Sequence, residues 1–101
     1  MEKLAIIQLG RLSQLLRAGL MGHHPLFEPA AIRDAFQGPE ETVSGREADE
    51  VGRALVVMAR EPLPLARTMV EGLTPTARVA LIRLYFRLLD RAREEEGPLV
   101  H

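Results

Sequence analysis

Apolar residues recur along most of the chain at intervals of three and four, the spacing of helices that turn one face inward. Over residues 2–20 the seam is Ala5, Leu9, Leu12, Leu16 and Gly19, and Leu15 and Leu20 widen it into a core-facing stripe. Gly22 is placed to stop this helix, with Pro25 close behind. A second, short helix is predicted over 29–37, with Pro29 at the first position, where a missing N–H costs nothing, and Gly38-Pro39 at its end. Residues 38–44 read as a loop that carries the acidic pair Glu40 and Glu41.

The third helix, over 45–60, has the clearest start signal. Ser44-Gly45-Arg46-Glu47 is a capping box, in which the serine oxygen accepts from the third helical amide and the glutamate reaches back to the serine amide. Its inward face is Ala48, Val51, Ala54, Leu55 and Met58, with Arg46, Asp49, Glu50, Arg53 and Arg60 turned to water. Pro62 and Pro64 end it. A fourth helix follows over 64–72, where Leu65, Met69 and Leu73 stack at four-residue spacing. Thr74-Pro75 then opens a fifth, over 75–96, closed by Gly97-Pro98. No stretch alternates apolar and polar residues, and only four residues (three Phe, one Tyr) are aromatic, so strands are not expected.

These elements predict an all-α fold, a small bundle of four to five helices forming a single domain over 1–101. The first, third and fifth helices should build the core, and the second and fourth should connect them. The fourth and fifth should pair as an antiparallel hairpin, because two or three residues join them. The predicted core is Leu9, Leu12, Leu16, Val51, Leu55, Met58, Leu65, Met69, Leu81, Leu84, Tyr85 and Leu88.

The fifth helix is unusual. Leu81, Ile82, Leu84, Tyr85, Phe86, Leu88 and Leu89 cover roughly 200° of its surface, about twice what packing on one neighbouring layer needs. It is therefore either the central helix of the bundle or also the face of a second subunit. The second option makes the chain a homodimer, with Ile82, Phe86, Leu89, Leu15 and Leu20 as the expected interface.

Composition narrows the chemistry. There is no cysteine, so disulfides, thiolate metal sites and a cysteine nucleophile are excluded. No segment reaches the roughly 20 apolar residues of a membrane span. Arg11 and Arg17 interrupt the apolar start where a signal peptide needs continuity, so no export signal is read and a cytoplasmic location is expected. Basic and acidic residues number 13 and 14, which argues against a dedicated nucleic-acid binder. Lys3 is the sole lysine and asparagine is absent, a bias that fits a heat-adapted source and fits a GC-rich genome equally well.

Four clusters bear on function. His23 and His24 are adjacent and Glu28 is near, but Pro25 and Pro29 disrupt the helical geometry that would converge them on a metal. Glu47 and Glu50 form one acidic pair at helical spacing without a second pair to complete a magnesium site, and they also suit the positive end of a helix. Arg83, Arg87 and Arg91 form a row at four-residue spacing that could track phosphates or simply be the wet face of an amphipathic helix. Ala48 and Gly52 have the spacing of a helix-turn-helix, inside an unbroken helical pattern that leaves no room for the turn. No phosphate loop, nucleophile elbow or zinc-protease motif occurs.

The expectation is a non-enzymatic helical interaction or adaptor protein that self-associates through the apolar faces of its first and last helices. It assigns no catalytic residue, no metal and no cofactor, and a homodimer or protein partner rather than a membrane. The alternatives are a small nucleic-acid-associated regulator using the arginine row, and a small metal-dependent enzyme using the acidic pair.

Overall fold

The computed structural model describes residues 2–39 and 42–96, with side chains over 10–39 and 42–94. The side chains of Ala5 and Leu9, the Glu40–Glu41 pair, Gly97-Pro98 and His101 lie outside the described residues. Among the described residues there are five helices and no strand: α1 Glu2–Leu20, α2 Pro29–Gln37, α3 Gly45–Arg60, α4 Leu63–Glu71 and α5 Pro75–Glu96.

Local chemistry accounts for the ends. Gly22 takes φ 88, and behind it the His23 amide donates to the Ala18 carbonyl (3.0 Å) and the Gly22 amide to that of Gly19 (2.9 Å). This is the double closure that satisfies the last carbonyls of a helix when a left-handed glycine follows it. At α3 both halves of the capping box are made: the Ser44 amide donates to Glu47 Oε1 (3.0 Å) and the Glu47 amide to Ser44 Oγ (3.3 Å). Helix α4 starts at Leu63, one residue before the expected position, with Pro62 in extended conformation as its N-cap and Pro64 in its first turn.

The start of α5 is tied to α3. Glu50, expected to face water, is half-buried and accepts from the Thr74 amide (3.1 Å) and the Thr74 hydroxyl (3.0 Å). One carboxylate thereby caps one helix from the side of another.

Helix α5 is the hub, packing against α1, α2 and α3. Leu81, Ile82, Tyr85 and Leu89 are buried along it, and Leu12, Leu26, Phe27, Ala35, Ala54, Met58, Ala66, Val70, Leu73 and Ala77 complete the core. Leu16, Val51, Leu55 and Met69 pack around that core half-buried, and Leu84 and Leu88 are likewise half-buried.

Two expectations are corrected. Helix α4 lies on α3 and does not form a hairpin with α5. The apolar arc of α5 is already occupied by α1, α2 and α3, so the fourth helix takes the flank of the third, to which Glu61-Pro62 joins it directly. In consequence Leu65 is 54% exposed, while Ala66 and Val70, one and five residues on, turn inward. A small residue at 66 lets this short helix approach closely where a leucine would hold it off.

Glycines mark the closest approaches. Gly10 breaks the regular path of α1 with φ 40 and ψ −115, and a Cβ there would lie 2.9 Å from the Ala59 carbonyl oxygen of α3. A Cβ at Gly19 would lie 2.5 Å from the Tyr85 hydroxyl and 2.8 Å from Leu89 Cδ2. Helices α1 and α5 can meet at that distance only because residue 19 has no side chain.

Candidate functional site

Two sides of α5 differ in how they are covered. On one, the N-terminal half of the helix and the first half of α3 leave an open groove of about 290 Å³. Its walls are Val51, Val79, Ala80 and Leu84, with Val43 exposed at the lip and Arg83 and Arg87 at the rim. Ala48, expected on the inward face of α3, is exposed at this groove instead. Among the described residues, α4 lines no part of the groove, and Val43, before Ser44, borders it.

On the other side, residues 21–28 cross α5 and carry a cluster of rings. His24 Nδ1 lies 2.7 Å from the Tyr85 hydroxyl, and its ring meets Tyr85 edge-on at 5.5 Å and Phe86 at 5.0 Å. Phe27 packs edge-on against Tyr85 (5.1 Å) and Phe36 against Phe86 (5.5 Å). Burial pushes the Tyr85 phenol up to about 12, because the phenolate would lose its water. Burial also lowers the pKa of His24, and the neighbouring His23 lowers it further. Cavities of about 570 and 550 Å³ flank this crossing segment.

The structure disperses the residues singled out from the sequence. Ile82 and Leu89 are 1% and 2% exposed within the chain, since α5 is the central helix and its wide arc is met by three neighbours. Leu15, Leu20 and Phe86 are half-buried against the same core. In the arginine row, Arg83 closes α2: its Nε donates to the Ala35 carbonyl (2.9 Å) and its Nη2 to Gly38 (2.9 Å), with the guanidinium 6.0 Å from the Phe36 ring centre. Arg87 and Arg91 are exposed further along α5. Glu47 is engaged in the capping box, and the Ser44 backbone amide holds its carboxyl below the usual range. Glu50 caps α5, His24 is bonded to Tyr85, and His23 is exposed. No group of three His, Asp or Glu side chains stands close enough to hold a metal among the described residues.

Three features escaped the sequence pattern. The His24–Tyr85 pair joins residues 61 apart, across an irregular segment without periodicity. Arg78 repeats the role of Arg83 at α4, its Nη2 donating to the carbonyls of Glu71 (2.8 Å) and Leu73 (3.3 Å). Its Nε is buried without a partner. Phe36 stands 53% exposed beside Arg83. Arg78 falls in the first turn of the helix that follows the short one it caps, whereas Arg83 is the ninth residue of α5 and caps a helix three elements earlier, so nothing local in the sequence marks it.

No known protein family, curated protein or solved structure matches this chain. Among the described residues no helix is long and apolar enough to cross a membrane.

Proposed function

We propose that the chain is a non-enzymatic helical interaction protein of the cytoplasm that self-associates, with its last helix at the contact. The observation that supports this reading is the open apolar groove between α3 and α5. It displaces the contact from the arc of Ile82 and Leu89, which the chain itself covers, to the opposite flank of the same helix.

A second copy is the occupant this reading assigns to the groove, whose walls are Val51, Val79, Ala80 and Leu84 with the exposed Val43 beside them. An isologous contact places each patch against its own copy related by a two-fold axis, so the apolar wall of one copy covers that of the other.

Sedimentation velocity across the micromolar range tests this reading. The native chain should sediment as a dimer. Val43→Asp, at the exposed lip, should shift it to a monomer with unchanged helical circular dichroism. A native chain that stays monomeric at hundreds of micromolar overturns self-association, and a Val43→Asp variant that dimerises normally overturns this groove as its site.

A further inference from the structure

We propose that His24 and Tyr85 form a pH-sensitive latch that fastens residues 21–25 to α5, closed while His24 is neutral and released when it gains a proton. The proposal concerns the opposite side of α5 from the groove and does not depend on self-association.

The argument begins with the Tyr85 hydroxyl. The residue is buried, and the hydroxyl lies close against the α1 backbone at Gly19 and beside Leu89, so water cannot serve it. A buried hydroxyl needs a partner. His24 Nδ1, at 2.7 Å, is that partner. With the ring proton on Nε2, Nδ1 accepts the phenolic proton, and the bond joins a neutral acceptor to a neutral donor.

Protonation changes both ends. The imidazolium carries a hydrogen on Nδ1 and no longer accepts; it can only donate to the phenolic oxygen, and the phenolic proton is left without its acceptor, facing hydrocarbon and backbone. The new charge is also desolvated against Tyr85 and Phe86. Surrounding charges disfavour it further. His23 and Glu28 lie on the same segment, Arg33 comes from α2, Arg67 and Glu71 from α4, and Arg78 from α5. Three guanidiniums and a histidine thus face the ring's surroundings against two carboxylates. Among the described residues, helix α1 contributes no charged group to the lining of either cavity.

Cavities of about 570 and 550 Å³ border this stretch. Its near end is tied to α1, where the Met21 and His23 amides donate to the Ala18 carbonyl (3.0 Å each) and the Gly22 amide to that of Gly19 (2.9 Å). Leu26 and Phe27 are buried and anchor the far end. Between these anchors the other ties are the Arg67 Nη2 bond to the Pro25 carbonyl (2.5 Å) and a long Phe27 amide bond to the His24 carbonyl (3.4 Å). Release therefore loosens His24 and Pro25 from α5 between two fixed ends and opens the two cavities toward each other.

The chain reports on this contact directly, because Tyr85 is its one tyrosine and it has no tryptophan. Titrating the full chain from pH 8 to pH 4.5 should change the tyrosine emission in one step, with a midpoint below the ordinary histidine value of 6.5. Over the same step, amides 21–24 should lose protection several-fold relative to those of α3. His24→Gln, which cannot titrate, should abolish the step, and His23→Gln should leave it in place. Flat emission, unchanged protection of amides 21–24, or a step that survives His24→Gln each overturns the latch. Should His24→Gln not fold, the histidine ring resonances of the native chain decide. A His24 titration that does not coincide with the emission step rejects the proposal.

Discussion

The two flanks of α5 belong to one helix and carry similar apolar residues, yet on one the backbone of α1 comes into contact with the helix, and on the other a groove opens onto it. On the first flank Gly19 admits the Tyr85 hydroxyl and Leu89 against the backbone of α1, and the rings of His24, Phe36 and Tyr85 meet Phe86, while the cavities of about 570 and 550 Å³ lie at the segment that crosses over them. On the open flank Val79, Ala80 and Leu84 face Val51 across a groove of about 290 Å³. Apolar composition does not distinguish the two. What distinguishes them is whether a neighbouring backbone can come close, and on the first flank that depends on a single missing side chain in α1.

Truncation on each flank gives the largest expected contrast. Leu89→Ala should cost about 3–5 kcal/mol, because a fully packed site cannot collapse around the cavity. Leu84→Ala, at a wall that solvent already reaches, should cost about 1 kcal/mol. Urea unfolding followed by circular dichroism reads both, and equal losses would remove the distinction between the flanks.

A glycine pair sharpens the comparison at a smaller scale. Gly19→Ala gains helix propensity of roughly 1 kcal/mol but drives a methyl group into the rigid end of Tyr85, so a net loss of about 1–2 kcal/mol is expected. Gly52→Ala in α3 meets nothing within 4 Å and should stabilise by about 0.5–1 kcal/mol. The same substitution thus takes opposite signs in two helices, and thermal melts of the two variants should bracket the native chain.

A further contrast concerns pH. The folded Tyr85 phenol titrates near 12 instead of 10, so the folded state favours the neutral form. The stability this supplies is complete below pH 10 and is lost as pH rises from 10 toward 12. The sign is reversed for His24, whose contribution is complete above 6.5 and is lost as pH falls through its lowered value. Denaturant midpoints should therefore decline on both sides of a plateau between about 6.5 and 10, and Tyr85→Phe should flatten the alkaline side. A midpoint in the native chain that holds steady from pH 10 to 12 would show that the hydroxyl is not sequestered.

Helix ends were legible because their causes are local. The Ser44–Glu47 box, the Thr74-Pro75 start, the prolines at 62 and 64 and the left-handed Gly22 each act within a few residues of themselves. The breadth of the apolar arc on α5 was legible too, and being at the centre of three helices accounts for it. Partnership was not legible. Leu65 has the four-residue spacing of a core position, but Ala66 is the residue small enough to face α3. Arg83 has the spacing of a surface row, but a bond to a carbonyl 48 positions earlier takes it out of that row. Periodicity ranks the faces of a helix and says nothing about which backbone will lie opposite.

The two arginine caps have a consequence for the order in which this chain acquires structure. Helices α2 and α4 have nine residues each, below the roughly 12–15 at which an isolated helix becomes marginal in water. Each has C-terminal carbonyls received by a guanidinium from the first nine residues of α5, Arg83 for α2 and Arg78 for α4. A nascent chain emerging from its N-terminus has made both short helices' residues before either guanidinium exists. Their carbonyls then depend on water until α5 is formed, and an element synthesised after both completes the ends of two earlier ones.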